Sequence, residues 1–347
     1  MKSDGFLLQA LLSVPAAGYA AIQKTREKAF AWGLLKSRSA PIPVISVGNL
    51  LLGGSGKTPF VIALAAMLKK RGRKPAIVSR GYLGSNRKDF VVVGEGVGGP
   101  PLLNPSICGD EPYLIAQRLP DVPVLIGRKR IHPATAASEL FHCDLVLLDD
   151  GFQHLPLKRD VDIVLVAGSE DRMFPLGKLR ESVSALRRAH VVVLVGIDSM
   201  PPSLSHYAEH AEIFRCRPVP AGFVTCGKPQ PDISGCPEKP VVLCSAIANP
   251  ERFRKTVEAL GCSVLDHVVF PDHHVISDGE IRSLAAAAPG HPIVVTEKDW
   301  VKLPDWFKKT RGVMALRIEI IVDDPDGLLS SLDRLMEKRD RSSGDEV

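Results

Sequence analysis

Short apolar runs alternate with stretches of helical periodicity along almost the whole chain. The runs are rich in valine, isoleucine and leucine, and turn-forming or polar residues bound them, which is typical of strands buried on both faces. They lie at residues 43–47, 75–79, 122–126, 144–148, 162–166, 190–195, 241–245, 263–270 and 292–296. Strands that alternate with helices predict an α/β fold with a mainly parallel sheet, whose ligands bind beyond the carboxyl ends of the strands.

The alternation breaks once, near residue 200, and resumes at residue 241. Met200, Pro201 and Pro202 interrupt the pattern, and proline and glycine are frequent from 216 to 240, which predicts a linker. We therefore expect a helical segment at 1–40, a first α/β domain at 41–205, a second, smaller α/β domain at 206–335 and a polar tail at 336–347.

The composition is that of an ordinary globular protein of about two domains. The 347 residues are 45% hydrophobic and 24% charged, with a formal net charge of +5 and only 5% aromatic residues. Nucleic-acid binding needs a concentrated basic stripe and aromatic side chains that stack on bases. Because the basic residues after the amino-terminal region are scattered among acidic ones, no nucleic-acid partner is expected.

The amino-terminal apolar run at residues 6–22 leaves several interpretations open. A secretory signal needs a positive start, but Asp4 offsets Lys2. A membrane-spanning helix would have to be longer and would not carry Gln9 and Pro15. We favour a helix that lies in the membrane interface with the basic residues after it near anionic headgroups. A helix packed on the protein core is the alternative.

Residues 43–60 predict a strand, a phosphate-binding loop and a helix. Gly53, Gly54, Ser55 and Gly56 form the turn, and their backbone N–H groups would converge on an anion at the start of the helix. Lys57 would reach the β- and γ-phosphates, and the Thr58 hydroxyl would hold Mg²⁺. The strict motif has a glycine where this chain has Leu51. A glycine-rich connection without a ligand is the alternative.

Two acidic motifs lie at the ends of predicted strands and helices in the first domain. Asp149 and Asp150 come directly after the strand at 144–148, where carboxylates suit the Mg²⁺ of a nucleotide, although Asp150 could serve only a turn. Asp110 and Glu111 precede a helix, and Asp110 is placed to cap its amino terminus.

Two further polar positions stand out at predicted strand ends. Arg80 follows the strand at 75–79 and suits either a phosphate or a surface carboxylate. His273 and His274 are adjacent, but no third ligand stands at metal spacing, so a zinc site is not expected.

Seven motifs together resemble those of the tetraacyldisaccharide 4'-kinases, the lipid A 4'-kinase family. They span nearly the whole chain in the order VGNLLLGGSGKTP, SRGY, GDEP, LDDGFQH, LGKLRE, FPDHH and TEKD. The resemblance implies a P-loop domain, a second α/β domain, a site between them and an amino-terminal helix that contacts the membrane. It also implies a peripheral or monotopic kinase at the cytoplasmic face of the inner membrane, which moves the γ-phosphoryl of ATP, with Mg²⁺, to the 4'-hydroxyl of a lipid-linked tetraacyl glucosamine disaccharide.

The resemblance also assigns roles by motif. Asp110 would be the base for the sugar hydroxyl and His273 its partner, while Lys57 keeps its catalytic contact with the transferred phosphate. The metal ligands would come from Thr58, Asp149, Asp150 and Glu181. Other residues expected at the site are Arg80, Glu111, Gln153, His154 and Arg180.

A nucleotide-dependent switch is the rival class, because such proteins share the glycine-rich loop. A GTP switch would require a guanine-recognition motif with one residue between Lys and Asp. In Thr296-Glu297-Lys298-Asp299 these two residues are adjacent, so ATP is favoured over GTP.

Overall fold

The computed structural model describes residues 2–53, 56–81, 89–168, 172–232, 237–310 and 312–344. The strands are β1 Val44–Asn49, β2 Pro75–Ser79, β3 Val91–Glu95, β4 Pro123–Ile126, β5 Leu145–Asp149, β6 Val161–Val166, β7 Val191–Val195, β8 Glu212–Thr225, β9 Lys228–Asp232, β10 Val241–Ser245, β11 Val264–Val269, β12 Ile293–Thr296 and β13 Val313–Val322. The helices are α1 Lys2–Ala31, α2 Lys57–Lys70, α3 Pro105–Cys108, α4 Asp110–Arg118, α5 Ile131–Glu139, α6 Pro202–Ser205, α7 Pro250–Ala259, α8 Asp278–Ala287, α9 Glu297–Trp300, α10 Asp305–Lys308 and α11 Pro325–Gly344, with a 3₁₀ helix at Val183–Arg188.

All of these strands join one mixed, mostly parallel sheet, which confirms the predicted fold class. The order is β11-β10-β12-β13-β8-β7-β6-β1-β5-β2-β4-β3, and β9 pairs with β8. Every residue of β1 is buried, and β1 lies between β5 and β6 with parallel register on both sides. Helices on both faces bury these strands, so the apolar runs carry no alternation.

The two halves of the sheet are joined by the long antiparallel pair β8 and β13. Residues 216–240 were expected to be a linker without regular structure, but β8 and β9 occupy much of this range. Among the described residues, β8 pairs with β7 only up to Cys216 and with β9 only from Phe223. Pro218 and Pro220 therefore fall where one side of β8 has no strand partner, and a missing N–H costs little there.

The carboxyl-terminal helix α11 returns to the first half of the molecule. Its buried Leu328, Leu332 and Met336 share a hydrophobic core with β1 and α2. The helix continues to Gly344, through the range that was expected to be a polar tail. The domain boundaries stay predictions made from the sequence.

The amino-terminal helix α1 lies against the body at its carboxyl-terminal end. Arg26 Nη1 donates to the Gln153 carbonyl oxygen at 3.3 Å, and Glu27 Oε1 lies 3.0 Å from Arg188 Nη1. Val14 and Ile22 are 75% and 66% exposed. In the described part of the chain, no helix combines the length and apolar character needed to cross a membrane.

Candidate active site

A cavity of about 1070 Å³ lies between the two halves of the sheet. Its walls include Lys57 and Asp110 from the first half and His273 and Lys298 from the second. The neighbours β5, β1, β6 and β2 are parallel, so the loops that follow them reach the same edge of the sheet. The cavity therefore lies where the sequence predicts ligands to bind.

The predicted phosphate loop leads directly into α2. Gly53 and Gly56 have φ values of +97° and +80°, a backbone conformation that glycine adopts without steric cost. Gly56 precedes α2 and has no side chain to cap it, so the first N–H groups of a 14-residue helix are available to an anion. Lys57 and Thr58 line the cavity. Gly54 and Ser55 lie outside the described residues.

The segment before these glycines explains why Leu51 is accepted in the loop. Leu51 forms an antiparallel bridge with Leu179, Leu52 N–H donates to the Lys178 carbonyl at 2.6 Å, and Arg180 N–H donates to the Leu50 carbonyl at 2.8 Å. This short ladder replaces the turn that a glycine at 51 would make. It also places Arg180 beside the phosphate loop.

Asp150 forms the charged centre of the nucleotide side. Its Oδ2 accepts from Arg180 Nη1 at 2.7 Å, and its Oδ1 lies 3.5 Å from Lys57 Nζ. Burial by itself would raise the pKa of Asp150, but Lys57 and Arg180 together hold it below its ordinary value. The residue has a φ of +51°, which is uncommon for a side chain other than glycine and is accepted by aspartate in turns. The positive φ agrees with the turn interpretation of Asp150, and its role as a metal ligand stays a prediction.

Asp149 ends β5 in the interior of the protein and is 1% exposed. Ser79 Oγ donates to Oδ2 at 3.3 Å, whereas Oδ1 has no hydrogen-bond partner among the described residues. Burial, and then the charges of Glu111 and Asp150, raise the pKa of Asp149. A buried carboxylate oxygen without a donor is a position that a cation would satisfy.

No group of three or more His, Cys, Asp or Glu side chains in the described ranges is arranged to hold a metal by itself. Nucleotide-bound Mg²⁺ needs only one or two carboxylates, because phosphates and water complete its six ligands. The unpartnered Asp149 oxygen and the nearby Asp150 fit that requirement.

Glu181, which was expected to be a metal ligand, does not reach this cavity. Its Oε2 accepts from Arg188 Nη2 at 2.6 Å, and the side chain is buried. The Arg188 guanidinium also lies 4.6 Å from the centre of the Phe152 ring. Arg180 and Glu181 are consecutive residues, but Arg180 pairs with Asp150 whereas Glu181 pairs with Arg188. We do not carry Glu181 forward as a ligand.

A cluster of cationic side chains lies at the end of the cavity nearest α1. Arg130 Nη1 donates to His154 Nδ1 at 3.1 Å, and Arg80, Arg128 and Arg26 line the same cavity. Burial and then the positive charge of Arg80 lower the pKa of Arg130 to about 10. Burial, with Arg130 first among the neighbouring cations, lowers the pKa of His154 to about 3, so its imidazole is neutral at pH 7. Gln153 Nε2 donates to the Asn49 carbonyl at 2.9 Å and lines the cavity as well.

The structure brings Asp110 and His273 together from the two halves of the sheet. Asp110 Oδ2 lies 3.3 Å from His273 Nδ1. Gly109, with a φ of +96°, is the capping residue of α4, and Asp110 is the first helical residue. The expectation that Asp110 caps the helix is therefore wrong by one position. Its Oδ1 accepts from the Glu111 backbone N–H at 3.0 Å, and its buried Oδ2 has no hydrogen-bond partner among the described residues.

Lys298 also lines this cavity, although no role was predicted for it from the sequence. Its Nζ lies 3.1 Å from His273 Nε2, 3.3 Å from Glu111 Oε1 and 4.0 Å from Asp110 Oδ2. Burial by itself would lower the pKa of Lys298, but Glu111, Asp110 and Asp272 together raise it. The lysine belongs to the TEKD motif at the end of β12, and its position at a strand end was the available signal.

Comparisons with known proteins agree with this architecture. The profile of the family "Tetraacyldisaccharide-1-P 4'-kinase" matches residues 8–337. The chain belongs to the tetraacyldisaccharide 4'-kinase family. A family member from Anaeromyxobacter dehalogenans (strain 2CP-C) is 38% identical over 314 residues, which cover 86% of this chain and 82% of the relative. The one from Geobacter sulfurreducens is 35% identical over 339 residues, which cover 95% and 94%.

A solved structure of the family superimposes on the whole fold. It is described as an "apo" form of LpxK from Aquifex aeolicus in complex with ATP. The TM-score is 0.80 at 30% sequence identity, and the match covers 95% of this chain and 99% of that one. Membership in the family confirms the predicted enzyme class, a kinase of lipid A biosynthesis.

Proposed function

We propose that this chain transfers the γ-phosphoryl group of ATP to the 4'-hydroxyl of a lipid-linked tetraacyl glucosamine disaccharide. The observation that carries the proposal is that the phosphate loop and the Asp110–His273 pair line one cavity. Phosphoryl transfer requires a bound nucleotide, neutralised charge and a group that accepts the hydroxyl proton. The cavity holds residues for each of these three tasks.

On the nucleotide side, the amide groups at the start of α2 bind phosphate oxygens and Lys57 neutralises the transferred group. Thr58, Asp149 and Asp150 would hold Mg²⁺, which neutralises charge on the β- and γ-phosphates when bound. Arg180 keeps Asp150 ionised at 2.7 Å. On the acceptor side, Asp110 takes the proton of the attacking hydroxyl, and His273 orients the Asp110 carboxylate.

The cationic cluster at the far end of the cavity suits an anionic part of the acceptor. The family description places a phosphate at position 1 of the disaccharide, at the opposite end from the 4'-hydroxyl. Arg80, Arg128 and Arg130 line the same cavity, and burial, followed by the positive charge of Arg80, lowers the pKa of Arg130. A phosphate there would supply negative charge.

The amino-terminal helix supports a membrane surface as the source of the lipid. Val14 and Ile22 on α1, and Trp32 and Leu34 just after it, are exposed apolar side chains of the kind that insert at an interface. Arg26 on the same helix lines the cavity. We propose that α1 lies on the cytoplasmic face of the inner membrane and that the acceptor enters the cavity beside it.

The test is a transfer assay with ATP labelled at the γ-phosphate, Mg²⁺ and the tetraacyl disaccharide 1-phosphate in detergent micelles. We expect label in the lipid, and no transfer to a control lipid that already carries a 4'-phosphate. A nucleotide switch would instead release labelled inorganic phosphate at a rate independent of the lipid, and that result would reject the kinase proposal.

A further inference from the structure

Lys298 contacts the imidazole of His273 on the nitrogen that does not face Asp110. Its Nζ is 3.1 Å from Nε2, while Nδ1 is 3.3 Å from Asp110 Oδ2. An ammonium group carries three N–H donors and no lone pair, so it can only donate. Nε2 must then be the acceptor, and the ring proton of a neutral imidazole sits on Nδ1. Nδ1–H then faces Asp110 Oδ2, which lies 3.3 Å away, within ion-pair distance.

Lys298 is held in this position by the structure around α9. The helix is capped by Thr296, whose Oγ1 accepts from the Asp299 N–H at 3.1 Å, and Asp299 is fully buried. Asp299 Oδ2 accepts from the Ala246 N–H at 3.1 Å and from Thr296 Oγ1 at 2.7 Å. These bonds fix the backbone at Lys298. Only the lysine side chain then has to be ordered for its ammonium group to reach His273.

The same short helix contacts α4 across the two halves of the molecule. Glu297 Oε2 lies 2.8 Å from Arg118 Nη1, and Lys298 Nζ lies 3.3 Å from Glu111 Oε1. Both partners are on α4, whose first residue is Asp110. The α9 contacts thus hold the helix that carries Asp110 next to the loop that carries His273.

We propose that Lys298 is a positioning residue that fixes His273 as the neutral imidazole with hydrogen on Nδ1. This inference rests on the proposed function and assigns His273 a narrower part in it. The Nδ1–H of His273 then points at Asp110 Oδ2 and orients that carboxylate. During transfer, the hydroxyl oxygen bonds to the γ-phosphorus, its proton goes to Asp110, and the bond to the ADP oxygen breaks. With Nδ1 already protonated, His273 does not take that proton from Asp110 in the same step.

The tautomer is measured directly by nitrogen NMR of the enzyme labelled with ¹⁵N-histidine, and His273→Ala assigns the signal among the 10 histidines. We expect the wild type to show hydrogen on Nδ1 and an unprotonated Nε2. Lys298→Met should raise the fraction of His273 with hydrogen on Nε2, because only the Asp110 contact at Nδ1 then opposes that tautomer, and Lys298→Arg should keep the hydrogen on Nδ1. A wild-type His273 with hydrogen on Nε2 would overturn the inference, and this readout needs no kinase activity.

Kinetics supply the second arm of the test. Lys298→Met should lower kcat by on the order of 10²-fold, as misplacement of a catalytic group does, with KM for ATP within about twofold of wild type. Lys298→Arg should recover part of that loss. Lys309→Met, which removes an exposed lysine outside the cavity, is the matched control. A purely structural lysine would lower thermal stability without changing the tautomer, and equal kcat in Lys298→Met and the control would refute its role.

Discussion

Lys57→Ala removes the one charge that the phosphate loop directs at the transferred group. In the structure Lys57 is 11% exposed and lies 3.5 Å from Asp150 Oδ1 and 3.1 Å from Asn49 Oδ1. The side chain is therefore already extended toward the edge of the sheet where the phosphates bind. Loss of this charge should raise the free energy of the transition state more than that of the ground state, because the charge on the γ-phosphoryl oxygens redistributes there.

The size of the effect follows from distance and burial. Two unit charges about 4 Å apart interact by about 4 kcal/mol at an effective dielectric constant of about 20, and removing a single preorganised group from an active site costs about 10²- to 10³-fold in rate. We expect kcat of Lys57→Ala to fall within that range. The fold should persist, because Arg180 still pairs with Asp150 at 2.7 Å.

The assay is lipid phosphorylation from labelled ATP, run together with thermal unfolding of each variant. Lys69→Ala is the matched control, since Lys69 is a half-exposed lysine in the last turn of the same helix and pairs with the surface residue Asp121. Turnover of Lys57→Ala within threefold of the control, with the fold intact, would contradict the assignment of this loop to the nucleotide.

Three further predictions follow from the other parts of the site. His273→Ala should lower kcat less than Asp110→Asn does. The double variant should lose little more kcat than Asp110→Asn alone, because the two residues act as one unit. Multiplicative losses of kcat in this cycle would show that the two residues act independently. Removal of residues 1–24, which spares Arg26 and Glu27, should move the protein from membrane to soluble fractions and raise KM for the lipid but not for ATP, and unchanged fractionation would contradict membrane attachment through α1. His154 has a pKa of about 3 in the folded protein and about 6.5 when unfolded, so the unfolded state binds its proton first and wild-type stability falls as pH drops below about 6.5. His154→Gln lacks this titration and should lose less free energy of unfolding between neutral and acidic pH in urea denaturation, whereas an identical loss would show that the imidazole is not buried as a neutral group.

Much of the fold could be predicted because the information is local. The apolar runs of β2 and β10 coincide with the predicted strands, and the other buried strands differ by one or two residues at their ends. Ser277 and Glu280 form the capping box of α8, a pattern contained in four consecutive residues. The strands β8 and β13 escaped prediction because each is exposed in part and alternates in burial, and β8 also contains proline.

The parts of the candidate site that one segment carries could be predicted from the sequence, whereas the pairing of the distant Asp110 and His273 was expected only from the family resemblance. The phosphate loop and the aspartates after β5 could be placed from the sequence, because a strand end fixes both. Lys298 owes its role to contacts with Glu111 and His273, which are 187 and 25 residues away in sequence. Spacing could not show that Glu181 turns away to Arg188, since the neighbouring Arg180 reaches the cavity.

The central claim is that Asp110 accepts the proton of the lipid hydroxyl during transfer from ATP. Asp110→Asn keeps the shape of the side chain and its place in the first turn of α4, but it removes the base. Asp278→Asn is the matched control, because Asp278 is the first residue of α8, is exposed and lies outside the cavity.

The most direct measurement is single-turnover transfer of the γ-phosphoryl from labelled ATP to the tetraacyl disaccharide 1-phosphate, with mass spectrometry to locate the new phosphate. We predict that wild type and Asp278→Asn form the 4'-phosphate at the same rate. Asp110→Asn should bind ATP with unchanged affinity and transfer at least about 10²-fold more slowly, the lower range for loss of a general base. Transfer by Asp110→Asn at the rate of the control, or a phosphate at another position, would contradict the account.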